Sequence, residues 1–290
     1  MKKCIISMIF LTMSMAILFS IAANPACAKN SRSIQIKGSD TMVNLGQAWA
    51  EEFNKLYPDV NVAVTGGGSG TGISSLLNGT CDIAETSRAM EEKELIQAKG
   101  KGINPVQEIV ALDGIAVVVN PKNTVKNLTV DQLRSIFIGD ITNWKDVGGA
   151  NKEIVILSRE VNSGTHIFFK EHVLRKGKAK GPEEFSPESL LMPSSQAIAD
   201  EVSNNENAIG YYGMGYIGPG QKVIAVAKDA PLPFVEPTIE SVKNNTYPIS
   251  RPLYMCTNGN PEGKIKDFID FVYSQEGQQI VKKLDFVPIK

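Results

Sequence analysis

From Ser33 onward, short apolar runs alternate with amphipathic segments. Ile34-Gln35-Ile36 reads as a strand, and Met42, Leu45, Trp49 and Phe53 then recur at helical spacing, leaving Glu51, Glu52 and Lys55 for solvent. Trp49 on that stripe is read as core packing. Val60, Val62 and Val64 alternate along a second strand, and Gly66 to Gly72 opens a helix over Ile73 to Leu77 that stops at Asn78-Gly79. Asp82-Ile83-Ala84 reads as a short buried strand ending at Ser87-Arg88. In the strand run from Ile109 to Asn120, the stretch Ile115 to Val119 is almost wholly apolar, as in a strand covered on both faces. Further along come a short helix (131–137), a strand (154–157), a helix (167–174) and a solvated loop (176–184). Ala208 to Tyr212 is another strand, and its glycine-punctuated continuation to Tyr216 signals close backbone contacts. Asn260-Pro261 reads as an N-cap and first helical residue ahead of the stripe Ile265, Phe268, Ile269 and Val272. Alternating strands and helices predict an α/β fold with largely parallel sheets.

The first 28 residues stand outside that pattern. Lys2 and Lys3, an apolar stretch from Ile5 to Ala23, and Ala26-Cys27-Ala28 form a secretory signal peptide with a small–x–small cleavage site. A retained anchor is the competing reading, since the stretch is near bilayer-spanning length. Asn24-Pro25-Ala26 is a poor lipobox for Cys27, so an exported periplasmic or cell-surface protein is expected rather than a lipoprotein. Losing Lys2 and Lys3 from the 30 basic residues leaves 28 against 31 acidic ones, a balance that argues against a nucleic-acid partner. Cys81 and Cys256 then remain, as a bridge permitted by an oxidising compartment or as two separate buried thiols.

Three loops carry glycine with serine or threonine: Gly38 to Met42, Gly66 to Gly72, and Asn162 to Thr165. Each follows a predicted strand and precedes a predicted helix, which is where open α/β sheets bind ligands. The free N–H groups of a helix start, at the positive end of its dipole, suit an anion. Arg159, four residues ahead of Ser163-Gly164-Thr165, adds a planar donor fork for a tetrahedral oxyanion. Arg88, directly after Ser87, closes another strand in the same style.

Other chemistry fits poorly. Gly67 to Gly72 is followed by Ile73-Ser74, so the lysine of a nucleotide-binding loop is missing, and the dinucleotide glycine spacing fails at Thr71 or Ile73. His166 and His172, the two histidines, lie six apart on one predicted helix, the wrong interval for a shared metal face, and are expected at the surface or as caps. No metal or cofactor is expected. Ser163 lacks a Gly-x-Ser-x-Gly frame, so a hydrolase pairing Ser163 with His166 is a formal rival.

The motifs Gly38-Ser39-Asp40-Thr41-Met42, Gly66 to Gly72, Ser87-Arg88 and Arg159 to Thr165 resemble those of the phosphate-binding proteins of bacterial phosphate ABC importers. Supporting segments are Ile136 to Trp144, Ala208 to Tyr211 and Phe286-Val287-Pro288. The resemblance implies a two-lobed periplasmic-binding-protein fold (type II) with two chain crossovers at the hinge. Lobe one would comprise 29–118 plus 250–290, and lobe two 119–249. It implies a monomeric, non-enzymatic receptor that delivers inorganic phosphate to a membrane permease. Thr41, Met42 and Ser69 would bind phosphate from lobe one, and Arg159, Ser163, Gly164 and Thr165 from lobe two. Where many relatives carry an aspartate that accepts the phosphate proton, this chain has Arg88. Asp40 is the expected substitute acceptor, with Arg88 pairing with it or touching the ligand. A receptor for sulfate or molybdate is the neighbouring alternative, because a site of donors alone does not reject them.

Overall fold

The computed structural model describes residues 32–289; the leader 1–28 lies outside them. Its strands are β1 (Arg32–Gly38), β2 (Val60–Thr65), β3 (Ile83–Thr86), β4 (Pro105–Val119), β5 (Asn127–Thr129), β6 (Val155–Arg159), β7 (Leu190–Met192), β8 (Ala208–Gly213), β9 (Lys222–Ala227) and β10 (Ser250–Asn258). The helices are α1 (Val43–Leu56), α2 (Ser69–Leu77), α3 (Glu92–Gly100), α4 (Val130–Ile138), α5 (Gly164–Phe169), α6 (Ser195–Asn204), α7 (Ile239–Lys243), α8 (Gly263–Tyr273) and α9 (Gln275–Lys283). Among the described residues, no helix is long and apolar enough to cross a membrane.

The strands run in the order β2-β1-β3-β10-β4-β8-β6-β7, with β9 pairing β4 and β5. Strand–helix–strand units make β1 parallel to β2 and β3, and β6 parallel to β7 and β8. The expectation of largely parallel sheets is corrected at the centre. There β10 runs antiparallel to β3 and β4, and β4 antiparallel to β8 and β9. Residues 105–114 of β4 pair with β10, whereas 115–119 pair with β8 and β9. One long strand thus serves two sheet regions, and its apolar second half is buried throughout.

Each region has its own core. Ile34, Ile36, Leu45, Trp49, Phe53, Val110, Leu253 and Phe268 fill one. Ile115, Val117, Leu133, Phe137, Phe169, Tyr211 and Tyr247 fill the other. Each such side chain contributes about 1.5–3 kcal/mol by leaving water. The helical stripe read from Met42 to Phe53 is buried as expected, and Trp49 Nε1 donates to the Gly277 carbonyl at 2.8 Å. Helix α8 starts later than Asn260-Pro261 suggested. Gly263, with a left-handed φ of 55°, separates that pair from the right-handed turns that follow. Cys81 and Cys256 are free, buried thiols in one apolar cluster with Leu76 and Ala84.

Candidate functional site

The three glycine loops meet at the ends of β1, β2 and β6. The Gly68 N–H donates to the Gly38 carbonyl at 2.8 Å, and the Gly70 N–H donates to the Asn162 carbonyl at 3.0 Å. Asn162 Nδ2 donates in turn to the Gly67 carbonyl at 2.8 Å. Such contacts need bare backbone. A Cβ on Gly38 (φ 144°) would sit 2.1 Å from the Glu85 carbonyl oxygen, and one on Gly164 would sit 2.3 Å from Ser69 Oγ.

Side chains from all three loops then converge. Thr41 Oγ1 and Thr165 Oγ1 are 2.8 Å apart and hydrogen bonded, although 124 residues separate them. Ser69 Oγ accepts from the Ser87 N–H at 3.0 Å and lies 3.3 Å from Ser87 Oγ. Ser163 caps α5, its Oγ accepting from the Thr165 and His166 N–H groups at 3.2 and 3.4 Å. Because that oxygen accepts, the hydroxyl proton remains available to a ligand. The Met42 N–H is held by the Ser39 carbonyl at 3.0 Å, within the short turn that leads into α1.

Arg159 is 1% exposed. Its Nη1 pairs with Asp40 Oδ2 at 3.0 Å and donates to Ser195 Oγ at 3.0 Å, while Nη2 donates to the Pro193 carbonyl at 3.1 Å. Asp40 Oδ2 also accepts from the Ser195 N–H and hydroxyl at 2.8 and 2.9 Å. The Asp40 carbonyl accepts from the Tyr216 hydroxyl at 2.8 Å. Arg159 Nε and Ser39 Oγ are buried with no hydrogen-bond partner among the described residues. A buried orphan donor costs free energy that an anion would recover.

Arg88 is not brought into this cluster. Its Nη1 and Nη2 fork onto Glu94 Oε2 and Oε1, each at 2.8 Å, so the expected pairing with Asp40 is not formed. The reason is local: the first turn of α3 presents a carboxylate six residues on, and a bidentate pair satisfies a buried guanidinium better than one oxygen. Desolvation acts against the Glu94 anion, but the Arg88 bonds and charge outweigh it and hold this carboxyl below its ordinary range. Arg88 lines a neighbouring groove of about 720 Å³ with Met90, Phe168, Glu171 and Tyr254.

Sequence reasoning missed Arg251. This residue, 2% exposed, sits on β10 across from Asp113 of β4. Its Nε and Nη2 donate to Asp113 Oδ2 at 3.0 and 2.8 Å, and Nη1 donates to the Ser87 carbonyl at 3.0 Å. Nη2 also donates to Thr165 Oγ1 at 3.0 Å and to Thr41 Oγ1 at 3.3 Å. Burial pushes the Asp113 carboxyl up and the Arg251 guanidinium down, and each partner's charge opposes that push. One signal was available: Asp113 interrupts the otherwise apolar stretch Ile109 to Val119, and a buried carboxylate demands a cation. Ser195, the other missed contact, had no motif to mark it. The close approach expected near Tyr216 is present at Gly213, where a Cβ would lie 2.7 Å from Thr41 Cγ2.

His166, expected at the surface or as a cap, is instead buried. Its ring lies 4.5 Å from that of Phe185 and its Nδ1 is 3.3 Å from Ser158 Oγ. Burial pushes its pKa down to about 4. Ser163 Oγ meets only the His166 backbone, so the serine–histidine dyad of a hydrolase is not assembled. Among the described residues, no group of three His, Cys, Asp or Glu side chains is arranged to hold a metal.

The chemistry of the cluster is therefore that of a dry donor lining. Two arginines are balanced by Asp40 and Asp113, and hydroxyls from three loops sit where the dielectric is low and each bond is strong. The profile of the PBP superfamily domain matches residues 23–276. The phosphate-binding protein PstS of Pseudomonas aeruginosa is 35% identical over 276 residues, covering 89% of this chain and 84% of its own. A Clostridium perfringens substrate-binding protein assigned to phosphate ABC transport was solved with bound phosphate. It superposes with a TM-score of 0.80 at 36% identity, covering 89% of this chain and 100% of that one. An ABC-type phosphate transport receptor from Vibrio cholerae gives 0.69 at 32% identity, covering 88% and 99%. The α/β architecture is the one expected, that of a periplasmic binding protein, and the chain belongs to the phosphate-binding proteins of phosphate ABC importers.

Proposed function

We propose that this protein is an extracytoplasmic receptor that binds inorganic phosphate and delivers it to the membrane permease of an ABC importer. One observation carries the reading. Thr41, Ser69, Ser163, Thr165 and Arg159 come from three distant loops into one buried cluster in which the Arg159 Nε proton still lacks an acceptor. Thr41, Met42 and Ser69 serve phosphate from lobe one (29–118 plus 250–290). Arg159, Ser163, Gly164 and Thr165 serve it from lobe two (119–249). The partner switch along β4 between residues 114 and 115, and the two separate cores, support two lobes with the first boundary at 114 rather than 118, since Ile115 and Val117 pack in the second core. Arg88, forked onto Glu94, lies outside the site, although its Nε too is buried without a partner among the described residues.

Asp40 is the acceptor that distinguishes phosphate from sulfate. Three donors on its Oδ2 hold the carboxylate in place and leave Oδ1 to accept the proton of hydrogen phosphate. Micromolar binding requires about 8 kcal/mol, and hydrogen bonds to a charged ligand supply roughly 1.5–3 kcal/mol each against the cost of association. The donors assembled here suffice. The receptor acts as a monomer, without catalysis, after its leader is removed.

Titration calorimetry of the mature protein with phosphate, sulfate and molybdate tests the reading. Phosphate is expected to bind in the micromolar range or tighter and to exclude the other two. Preferential binding of sulfate or molybdate, or no binding of any of the three, overturns it.

A further inference from the structure

Arg251 touches more of the site than any residue that the motifs identified. From β10, its one guanidinium reaches the Ser87 carbonyl at the end of β3, Asp113 on β4, Thr41 ahead of α1, and Thr165 in the first turn of α5. Two of its nitrogens are anchored, on the Ser87 carbonyl and on Asp113. Nη2 carries two protons: one serves Asp113, and the other is shared between the two threonine hydroxyls.

An arginine cannot accept a hydrogen bond, so an oxygen receiving its proton must be acting as an acceptor there. Each threonine hydroxyl thereby has a lone pair committed toward β10, and its own proton points elsewhere. With Arg251 donating to both oxygens, one hydroxyl proton closes the 2.8 Å bond between the two threonines and the other is left for a ligand.

A purely architectural role explains these contacts poorly. Burying an ion pair takes two charges out of water, and well-packed apolar side chains of similar volume often serve stability as well or better. Here the pair lies between the hydroxyls of two facing loops, with the Phe168 ring 5.7 Å from the guanidinium carbon. That placement serves orientation, and preorganised donors bind an anion without the cost of ordering them on arrival.

We propose that Arg251 is the positioning residue of the phosphate site, anchored by Asp113 and the Ser87 carbonyl, and that it orients the Thr41–Thr165 pair so that the hydroxyl proton their mutual bond leaves free faces the bound anion. This inference rests on the phosphate-binding reading and adds a residue outside its motifs.

The test is a double-mutant cycle on phosphate affinity, which separates action through the hydroxyls from a general structural effect. Arg251→Lys keeps a cation beside Asp113 but lacks the Nη1 and Nε that anchor the guanidinium on the Ser87 carbonyl and Asp113, so its flexible ammonium is not fixed toward both threonines. Calorimetry, with phosphorus NMR at millimolar phosphate for weak variants, compares this substitution in the wild type and in Thr165→Val. Loss of one hydrogen bond to a charged group predicts an affinity about tenfold lower in the wild-type background. In Thr165→Val the same substitution should cost less than about threefold, because much of its route to the ligand is already gone. Equal fold-losses in both backgrounds, or wild-type affinity in Arg251→Lys, overturn the proposal. Should Arg251→Lys fail to fold, the neutral pair Arg251→Gln with Asp113→Asn carries the same comparison. Wild-type protein that binds no phosphate would refute the function itself, a result distinct from an additive cycle.

Discussion

Glu85 and Asp113 flank the same strand and fare differently. Across β10, Glu85 faces Met255 and Asp113 faces Arg251. They are equally hidden, at 1% and 0% exposure. Asp113 takes two bonds from Arg251 and one from the Met214 N–H at 3.1 Å. Both oxygens of Glu85 are without a hydrogen-bond partner among the described residues, packed where a Cβ on Gly46 would be 2.5 Å from Oε1. Burial alone therefore raises the Glu85 carboxyl well above its ordinary value, and it keeps its proton. A carboxylate in this interior stays charged where a cation is set against it, as Arg251 is against Asp113 and Arg88 against Glu94. Asp40, 18% exposed on its side chain and held by Arg159 and Ser195, is a further case at the site itself.

The largest way to break the contrast is to make Asp113 resemble Glu85. Arg251→Met should destabilise the protein by about 3–5 kcal/mol in chemical denaturation, since removing one partner strands a buried charge. A loss under about 1 kcal/mol would mean that Asp113 is satisfied without its cation. Next comes Arg159→Ala, which should weaken phosphate binding by more than about 2 kcal/mol in calorimetry, through loss of a buried charge-assisted contact. Near-normal affinity in that variant would remove Arg159 from the site.

Removing the orphan acid works in the opposite direction. Glu85→Met should stabilise the fold by about 1–2 kcal/mol at neutral pH, because an unsatisfied polar group leaves the interior. The sign with pH follows from the raised folded-state value. Below the ordinary glutamate value of 4.5, folded and unfolded states are both protonated. Above it only the unfolded chain releases the proton, so wild-type stability falls as pH rises. The advantage of Glu85→Met should therefore grow from acid to neutral pH, and a gain independent of pH would show that Glu85 titrates normally. The smallest effect is expected for Asp40→Asn, a shift of about 1 kcal/mol in preference from phosphate toward sulfate. Competition titrations that return the wild-type ratio would exclude Asp40 as the selective acceptor.

The legible parts of this protein are those governed by neighbours in sequence. Helical spacing of Met42, Leu45, Trp49 and Phe53 and alternation of Val60, Val62 and Val64 report burial directly, because side-chain direction repeats with backbone geometry. The glycine loops were legible as strand-to-helix turns, but the close approaches that require Gly38 and Gly164, to Glu85 and Ser69, are contacts between distant segments. Arg88 misled because adjacency to Ser87 said nothing about Glu94, whose carboxylate the first turn of α3 turns back onto it. His166 misled in the same way: its interval to His172 gave no view of the aromatic face of Phe185.

Local periodicity and loop chemistry thus determined β1, α1, β2, α2, β3, β4 and β8 and the class of ligand, but marked neither β10 nor α6 nor α9. Tertiary structure alone decided which distant charges meet: Arg251 with Asp113, Arg159 with Asp40, and, among the described residues, Glu85 with nothing. The physical reason is range. Backbone preferences act over a few residues, whereas the free energy of a buried charge depends on groups that the fold brings within about 4 Å from anywhere in the chain.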